Sequence, residues 1–200
     1  MKVSDRRVPP FPNKANIMSK FEIELRGLLS TQQKRKLERF LKLNGTLVKE
    51  YERKQWIFGL SHEKKIDLRI KETNGEHELS LKVGKLGNSN RKEISIPLLH
   101  KNIEKPLEFL KFLGHREGVV AIRNAKVYKY KGIEWAIVEV PNHSYYFEAE
   151  KLVGNKNEGK FAEKEIKEVA KELNLNILSS KETVKYIKKL NKEANKIFKL

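Results

Sequence analysis

Apolar and polar side chains trade places at every second position through most of this chain, and that period limits its fold more than any other feature. In "FEIELRG", Phe21, Ile23 and Leu25 stand against Glu22, Glu24 and Arg26. Residues two apart on a β-strand share a face, so this strand has one apolar face and one charged face. Strand patterns of this kind cover 20–26, 46–58, 66–72, 76–83, 91–97, 117–131, 133–140 and 145–151. "TNGE" (73–76) and "YKGI" (130–133) are tight-turn signals, which predicts hairpins and an antiparallel sheet. Helical spacing interrupts the strands over 31–43, where Leu37, Phe40 and Leu41 precede Gly45, and over 105–113, between Pro106 and Gly114. Two more helices close the chain, one over about 160–173 and one starting where Ser179 and Glu182 fit a capping box. About eight strands with few helices predicts a mostly β (α+β) fold, an eight-stranded antiparallel closed barrel with helices outside. Closure also removes exposed sheet edges.

Two hundred residues suffice for one domain with a core that needs no staples. Proline-rich "VPPFPN" at 8–13 marks residues 1–17 as a flexible leader, leaving 18–200 as a single domain with 160–200 as its C-terminal helical segment. The chain has no cysteine, which excludes disulfides, thiolate metal sites and cysteine nucleophiles. No run approaches the ~20 apolar residues of a membrane span, and no apolar signal-peptide segment follows the basic N-terminus. A soluble cytoplasmic protein, monomer or homodimer, is expected. The net charge of +17 invites a nucleic-acid reading, but +4 of it lies in residues 1–20 and +6 in residues 151–200. In the middle, 25 bases are interleaved with 18 acids.

The charged faces carry a pattern of their own. Asp67, Arg69 and Lys71 share a face, as do Glu78, Ser80 and Lys82; Arg91, Glu93 and Ser95; and Tyr146, Glu148 and Glu150. Polar-out alternation is ordinary for an antiparallel sheet with one wet side. Paired carboxylates on the first and last strands, with bases between, are not. Two like charges about 6–7 Å apart, at an effective dielectric of about 20, repel by roughly 2–3 kcal/mol before screening. A shared divalent cation removes that repulsion, and guanidinium and ammonium groups hold phosphate oxygens.

"FEIELRG" resembles the N-terminal Glu-x-Glu-x-Lys signature of the CYTH proteins, the triphosphate tunnel metalloenzymes. The similarity continues in order through "LRIKE", "LSLKVG", "RKEISI" and "YYFEAEK", and covers about residues 20–190. The resemblance implies an eight-stranded tunnel with a charged lumen, acting on triphosphate compounds with Mg²⁺ or Mn²⁺. It implies Glu22, Glu24, Glu148 and Glu150 as the metal-side carboxylates, and Arg69, Lys71, Lys82, Arg91 and Arg123 as triphosphate-binding bases. Glu22, Glu24, Arg26 and Glu93 are the implied catalytic set. The implied activity is metal-dependent hydrolysis of inorganic or organic triphosphate; the alternatives are a class IV adenylyl cyclase and a non-catalytic binder of polyphosphate or RNA.

Three strands depart from the family pattern. Arg26 replaces the signature lysine, and arginine does not give up its proton usefully. Ser95 stands where a second acid is common. On the sixth strand only Arg123 and Lys126 are available, and their spacing puts them on opposite faces. Glu139 is the acid expected on the seventh strand.

Other signals are set aside. "GNKNEGKF" (154–161) nearly matches a P-loop, but Phe161 stands where Ser or Thr should reach Mg²⁺. The histidines at 62, 77, 100, 115 and 143 lack ligand spacing; His115 and His143 are candidates for the tunnel mouth. The tail lysines of "KYIKKLNKEANKIFK" read as a solvated helical face, and Trp56 and Trp135 as core or lumen packing.

Overall fold

The computed structural model describes residues 21–58, 66–84, 88–99 and 102–200. The expected leader, His62 and His100 lie outside the described residues. Eight strands interrupted by two helices follow in chain order: β1 (Phe21–Leu29), α1 (Thr31–Asn44), β2 (Thr46–Phe58), β3 (Ile66–Thr73), β4 (Glu76–Val83), β5 (Asn90–Leu98), α2 (Glu104–Phe112), β6 (Glu117–Tyr130), β7 (Ile133–Val140) and β8 (Ser144–Val153). A short 3₁₀ turn, α3 (Gly159–Glu172), α4 (Ser180–Glu193) and a four-residue strand, β9 (Lys196–Lys199), complete the chain.

Every strand pairs antiparallel with its neighbours in the order β2-β3-β4-β5-β1-β8-β7-β6, and β6 pairs back to β2, closing the barrel. Strong local signals set the corners. Asn74-Gly75 and Lys131-Gly132 both have positive φ, the conformation a two-residue hairpin turn requires. Ser30 and Ser179 start α1 and α4 through reciprocal capping boxes with Gln33 and Glu182. β9 was not expected: it pairs with Glu117–Val120 of β6, the part of that strand that extends beyond its pairing with β7.

The apolar faces point outward and are covered by helices. Ile23, Leu41, Trp135, Phe147 and Ile166 form one buried cluster between the β1–β8–β7–β6 wall and helices α1 and α3. Trp56, Phe58, Ile70 and Leu110 form another beneath α2. Both tryptophans therefore pack on the outer wall, and neither is in the lumen. A third cluster, Tyr51, Val127, Val138, Tyr146 and Leu190, fills one end of the barrel interior under α4. Among the described residues, no helix is long and apolar enough to cross a membrane.

Candidate active site

The period of two sends Glu22, Glu24 and Arg26 into the barrel while Ile23 and Leu25 face the outer core. The β1–β8 register then sets Glu24 across from Glu150 and Arg26 across from Glu148. Arg26 pairs with Glu24 and places Nε 2.8 Å from Glu148 Oε1. Lys82 Nζ reaches Glu22 Oε1 at 2.8 Å, Glu24 Oε2 at 3.3 Å and Glu93 Oε2 at 3.1 Å. Lys71 Nζ sits 2.6 Å from Glu93 Oε1, which also accepts a hydrogen bond from Ser80 Oγ at 2.7 Å. Lys82 thus bridges the two adjacent acids of β1, and Arg26 holds Glu24 from the other side.

Lys71, Lys82, Arg91 and Arg123 are all buried, an unusual state for these residue types unless they are paired. Arg69 lies alongside Asp67, with Nε 2.8 Å from Oδ1, and its Nη1 donates to Gln55 Oε1 at 3.0 Å. Of the expected residues, Glu22, Glu24, Arg26, Arg69, Lys71, Lys82, Glu93, Arg123, Glu148 and Glu150 line one bore of about 170 Å³. Arg91 is set apart: its Nη1 is 3.3 Å from Asp67 Oδ2, and it lines a neighbouring pocket.

The electrostatics follow from burial plus these partners. Burial pushes Glu22 up to about 9, against the pull of Lys82 and with help from Glu24 and Glu150. Burial and the charge of Glu24 push Glu150 up to about 7. Burial also acts on Glu24, but Arg26 and Lys82 overcome it and hold that carboxyl well below the usual range. Glu93 is held low in the same way, burial being outweighed by Lys82 and Lys71. Burial works against the ammonium of Lys82, yet Glu24 and Glu22 raise it and keep it charged.

The donor set suits a hard divalent cation. Carboxylate oxygens are its preferred ligands, and Glu22 and Glu150, which burial and neighbouring acids keep raised, would gain from the added charge of a divalent cation. Among the described residues, no three acidic or histidine side chains stand ready to hold a metal as they are rotated here. Glu24 and Glu148 turn to Arg26 and Glu22 turns to Lys82, so binding requires these ion pairs to exchange partners.

Two expectations are corrected. Glu139 faces outward, beside Lys34 and Glu38; the β7 acid in the bore is Glu134, directly across from Glu150. His115 does not line the bore; it rests edge-on against Phe58 of the outer cluster. His143 stands where α4 meets the barrel, its Nδ1 2.7 Å from Ser144 Oγ and its Nε2 3.1 Å from Glu193 Oε2. Lys126, as its spacing required, is outside, 3.1 Å from Glu38 Oε1. The P-loop-like segment uses its own side chains to satisfy its amides: Gly154 N donates to Glu158 Oε2, and Asn157 N to Asn155 Oδ1, both at 3.0 Å.

Arg53 is a lumen residue that sequence reasoning missed. It pairs across β2–β6 with Arg123, and its guanidinium stacks 4.2 Å from the Tyr51 ring centroid. The alternation of Lys49, Tyr51, Arg53 and Gln55 on β2 was the available signal. α4 also does more than present lysines to solvent. Lys185, Lys188 and Lys189 are exposed, while Tyr186, Leu190, Asn191 and Asn195 line the bore and close its end. Asn195 Oδ1 accepts a hydrogen bond from Arg123 Nη2 at 3.0 Å.

No family model matches the chain, and no curated protein matches it in sequence. Solved structures do. The PH1819 protein of Pyrococcus horikoshii is similar over 78% of this chain and 92% of its own, at 22% identity and a TM-score of 0.66. A candidate adenylate cyclase from Vibrio parahaemolyticus matches 84% of this chain and 99% of its own, at 10% identity and a TM-score of 0.64. HpAC1 of Hippeastrum, a candidate adenylyl cyclase with a dominant triphosphatase activity, matches 79% of this chain and 89% of its own, at 18% identity and a TM-score of 0.54. At these identities the shared property is the fold.

Proposed function

We propose that this chain is a triphosphate tunnel metalloenzyme of the CYTH type, a divalent-metal-dependent hydrolase of a triphosphate-containing substrate. The observation that carries this reading is the bore: seven lysines and arginines with six glutamates, enclosed by a closed barrel and plugged at one end by α4. With Glu22 raised to about 9 and Glu150 to about 7, the lining is net positive at neutral pH and draws in a ligand with several negative charges, and a cation entering with it meets carboxyls that can ionise toward it. That asks for both a polyanion and a metal. The triphosphatase activity of the Hippeastrum neighbour, on the same barrel, supports the reading.

Glu22, Glu24, Glu148 and Glu150 would hold Mg²⁺ or Mn²⁺. The metal, when bound, neutralises charge on the phosphate oxygens and polarises the phosphorus. Arg69, Lys71, Lys82 and Arg123 exchange their present carboxylate and amide partners for phosphate oxygens and fix the chain in line. Once Lys71 and Lys82 turn to the phosphates, the Glu93 carboxylate is released to orient the attacking water and accept its proton. The terminal anhydride P–O bond then breaks, and orthophosphate leaves. Phosphoryl transfer rests on positioning and charge neutralisation, so no serine or cysteine nucleophile is required. Arg26, always charged, holds Glu24 and Glu148 in this arrangement and would turn from them to phosphate oxygens when a metal takes their carboxylates.

The test is phosphate release from tripolyphosphate, thiamine triphosphate and ATP, with and without Mg²⁺ or Mn²⁺, by the wild type and by Glu24→Gln and Glu148→Gln. Metal-dependent release that falls at least about 100-fold in both variants supports the reading. Unchanged activity in both removes the carboxylates from the mechanism. Cyclic AMP as product points to the cyclase, and tight metal-independent binding without turnover points to a non-catalytic binder.

A further inference from the structure

Two helices of this chain place lysines at the same intervals and treat them differently. In α3 they are Lys160, Lys164, Lys167 and Lys171; in α4 they are Lys181, Lys185, Lys188 and Lys192. Steps of four, three and four residues hold each set within an arc of about 60° on its helix, and all these side chains are exposed. α3 mixes its lysines with four glutamates, and Lys164 and Lys167 pair with Glu168 and Glu163 one turn away, at 3.7 and 2.6 Å. α4 carries a fifth lysine, Lys189, and only two glutamates, both already engaged. Glu182 accepts from Ser179 in the capping box, and Glu193 lies 3.1 Å from His143 Nε2 and 3.8 Å from Lys189 Nζ. Among the described residues, no carboxylate comes within 4.0 Å of the ammonium of Lys181, Lys185, Lys188 or Lys192.

We propose that the lysine stripe of α4 binds the phosphate backbone of a nucleic-acid duplex, without regard to sequence, on the side of the helix that points away from the bore. Leu190, which closes the bore, lies about half a turn round the helix from the stripe. The contact is therefore separate from the bore and stands whether or not the triphosphate reading does. Repulsion is the first argument. Lysines three and four residues apart are neighbours on a helix, and each such like-charged pair destabilises it. α3 cancels this repulsion with its own glutamates, whereas α4 leaves it in place. Solubility does not require the excess, since α3 is as wet with no net charge. A polyanion laid along the stripe relieves the repulsion and releases its own condensed counterions.

Shape is the second argument. From Lys181 to Lys192 the helix rises about 16 Å, and one strand of a duplex offers a phosphate every ~3.4 Å of axis, so the stripe faces four or five phosphates. A single row of ammonium groups suits a linear polyanion. An anionic bilayer is the poorer match, because a helix that lies on a membrane buries an apolar face in it. The apolar face of α4 is already taken by the barrel, where Leu190 is buried and Tyr186 lines the bore. β9 follows α4 at once and adds two more exposed lysines, Lys196 and Lys199.

The experiment is fluorescence anisotropy of labelled RNA and DNA duplexes of about 20 base pairs, titrated with the full chain at several salt concentrations. Wild type is compared with Lys185→Gln/Lys188→Gln in α4 and with Lys164→Gln/Lys167→Gln in α3, two variants that lose the same charge. Four phosphate contacts give log Kobs against log salt a slope of about −3.6. The α4 variant should bind at least about tenfold more weakly at low salt, with the slope reduced by about 1.8, while the α3 variant stays within about twofold of wild type. Binding of either duplex with that pattern supports the inference, and the tighter of the two names the source. Equal loss in both variants overturns it, since the net charge of +17 alone would then attract the duplex. An absence of measurable binding overturns it too, as do phosphatidylserine vesicles that bind more tightly than either duplex and depend on the same α4 lysines.

Discussion

Asp67 sits between two arginines, its Oδ2 2.5 Å from Arg69 Nη2 and 3.3 Å from Arg91 Nη1. Burial disfavours its charge, but Arg69 and Arg91 outweigh that and lower its pKa to about 2 from the ordinary 3.8. A carboxyl with a depressed folded pKa contributes stability that is complete above the unfolded value and lost as pH falls through the folded one. Asp67→Asn should therefore be less stable than wild type at neutral pH, with the gap closing between about pH 4 and 2; urea unfolding at several pH values measures it. A gap that does not change over that window removes Asp67 as the charge partner. Gly27 is a second residue-scale constraint. A Cβ there would lie 2.0 Å from the carbonyl oxygen of Asn176 and 2.3 Å from Phe147 Cε1. Gly27→Ala should cost about 3 kcal/mol or more in the same assay, because the main-chain oxygen cannot move aside as a side-chain tip would. The sequence showed Gly27 only as the end of a strand, since the crowding comes from a linker about 150 residues away along the chain.

At the scale of elements, the strands and helices were legible because each carried a period and a punctuation mark. Ser179–Glu182 and the Asn74-Gly75 and Lys131-Gly132 turns are local chemistry and appear in the sequence as they do in the fold. What was not legible depended on neighbours. β7 is apolar on both sides, with Trp135 and Ile137 outward and Ala136 and Val138 inward, so its period does not say which of Glu134 and Glu139 meets the bore. β9 has only "KIFK" and becomes a strand because β6 outruns β7 and offers an unpaired edge. The plug likewise depends on assembly: Leu190 is an ordinary amphipathic-helix leucine until α4 caps the barrel and buries it to 5% exposure. Leu190→Ala should destabilise the protein by about 2–4 kcal/mol and, by loosening the bore's closed end, lower turnover as well. Denaturant unfolding and phosphate release measured on the same preparation check both halves. A stability loss with turnover intact would show that α4 packs against the bore without shaping it.

At the scale of the whole molecule, the barrel inverts the usual arrangement, with helices drying its outer wall and charges concentrated within. The folded chain binds more protons than the unfolded one wherever buried carboxyls are raised, as Glu22 is to about 9 and Glu150 to about 7. Stability without metal should therefore fall as pH rises from the unfolded carboxyl value near 4.5 through those two values. The divalent cation proposed for Glu22, Glu24, Glu148 and Glu150 would compete with those protons and remove the penalty, so its stabilising effect should grow with pH. At a free concentration of about 100 Kd the gain is about 2.7 kcal/mol, which for a domain of this size moves Tm by roughly 5–10 °C. Thermal unfolding with and without Mn²⁺ at pH 6 and pH 8.5 should show the larger shift at the higher pH. Tripolyphosphate added with Mn²⁺ should raise Tm by more than the two separate shifts combined, because each ligand's charge favours the other's inside one enclosure. A metal shift that ignores pH, or strictly additive shifts, would mean that cation and polyanion do not share this enclosure.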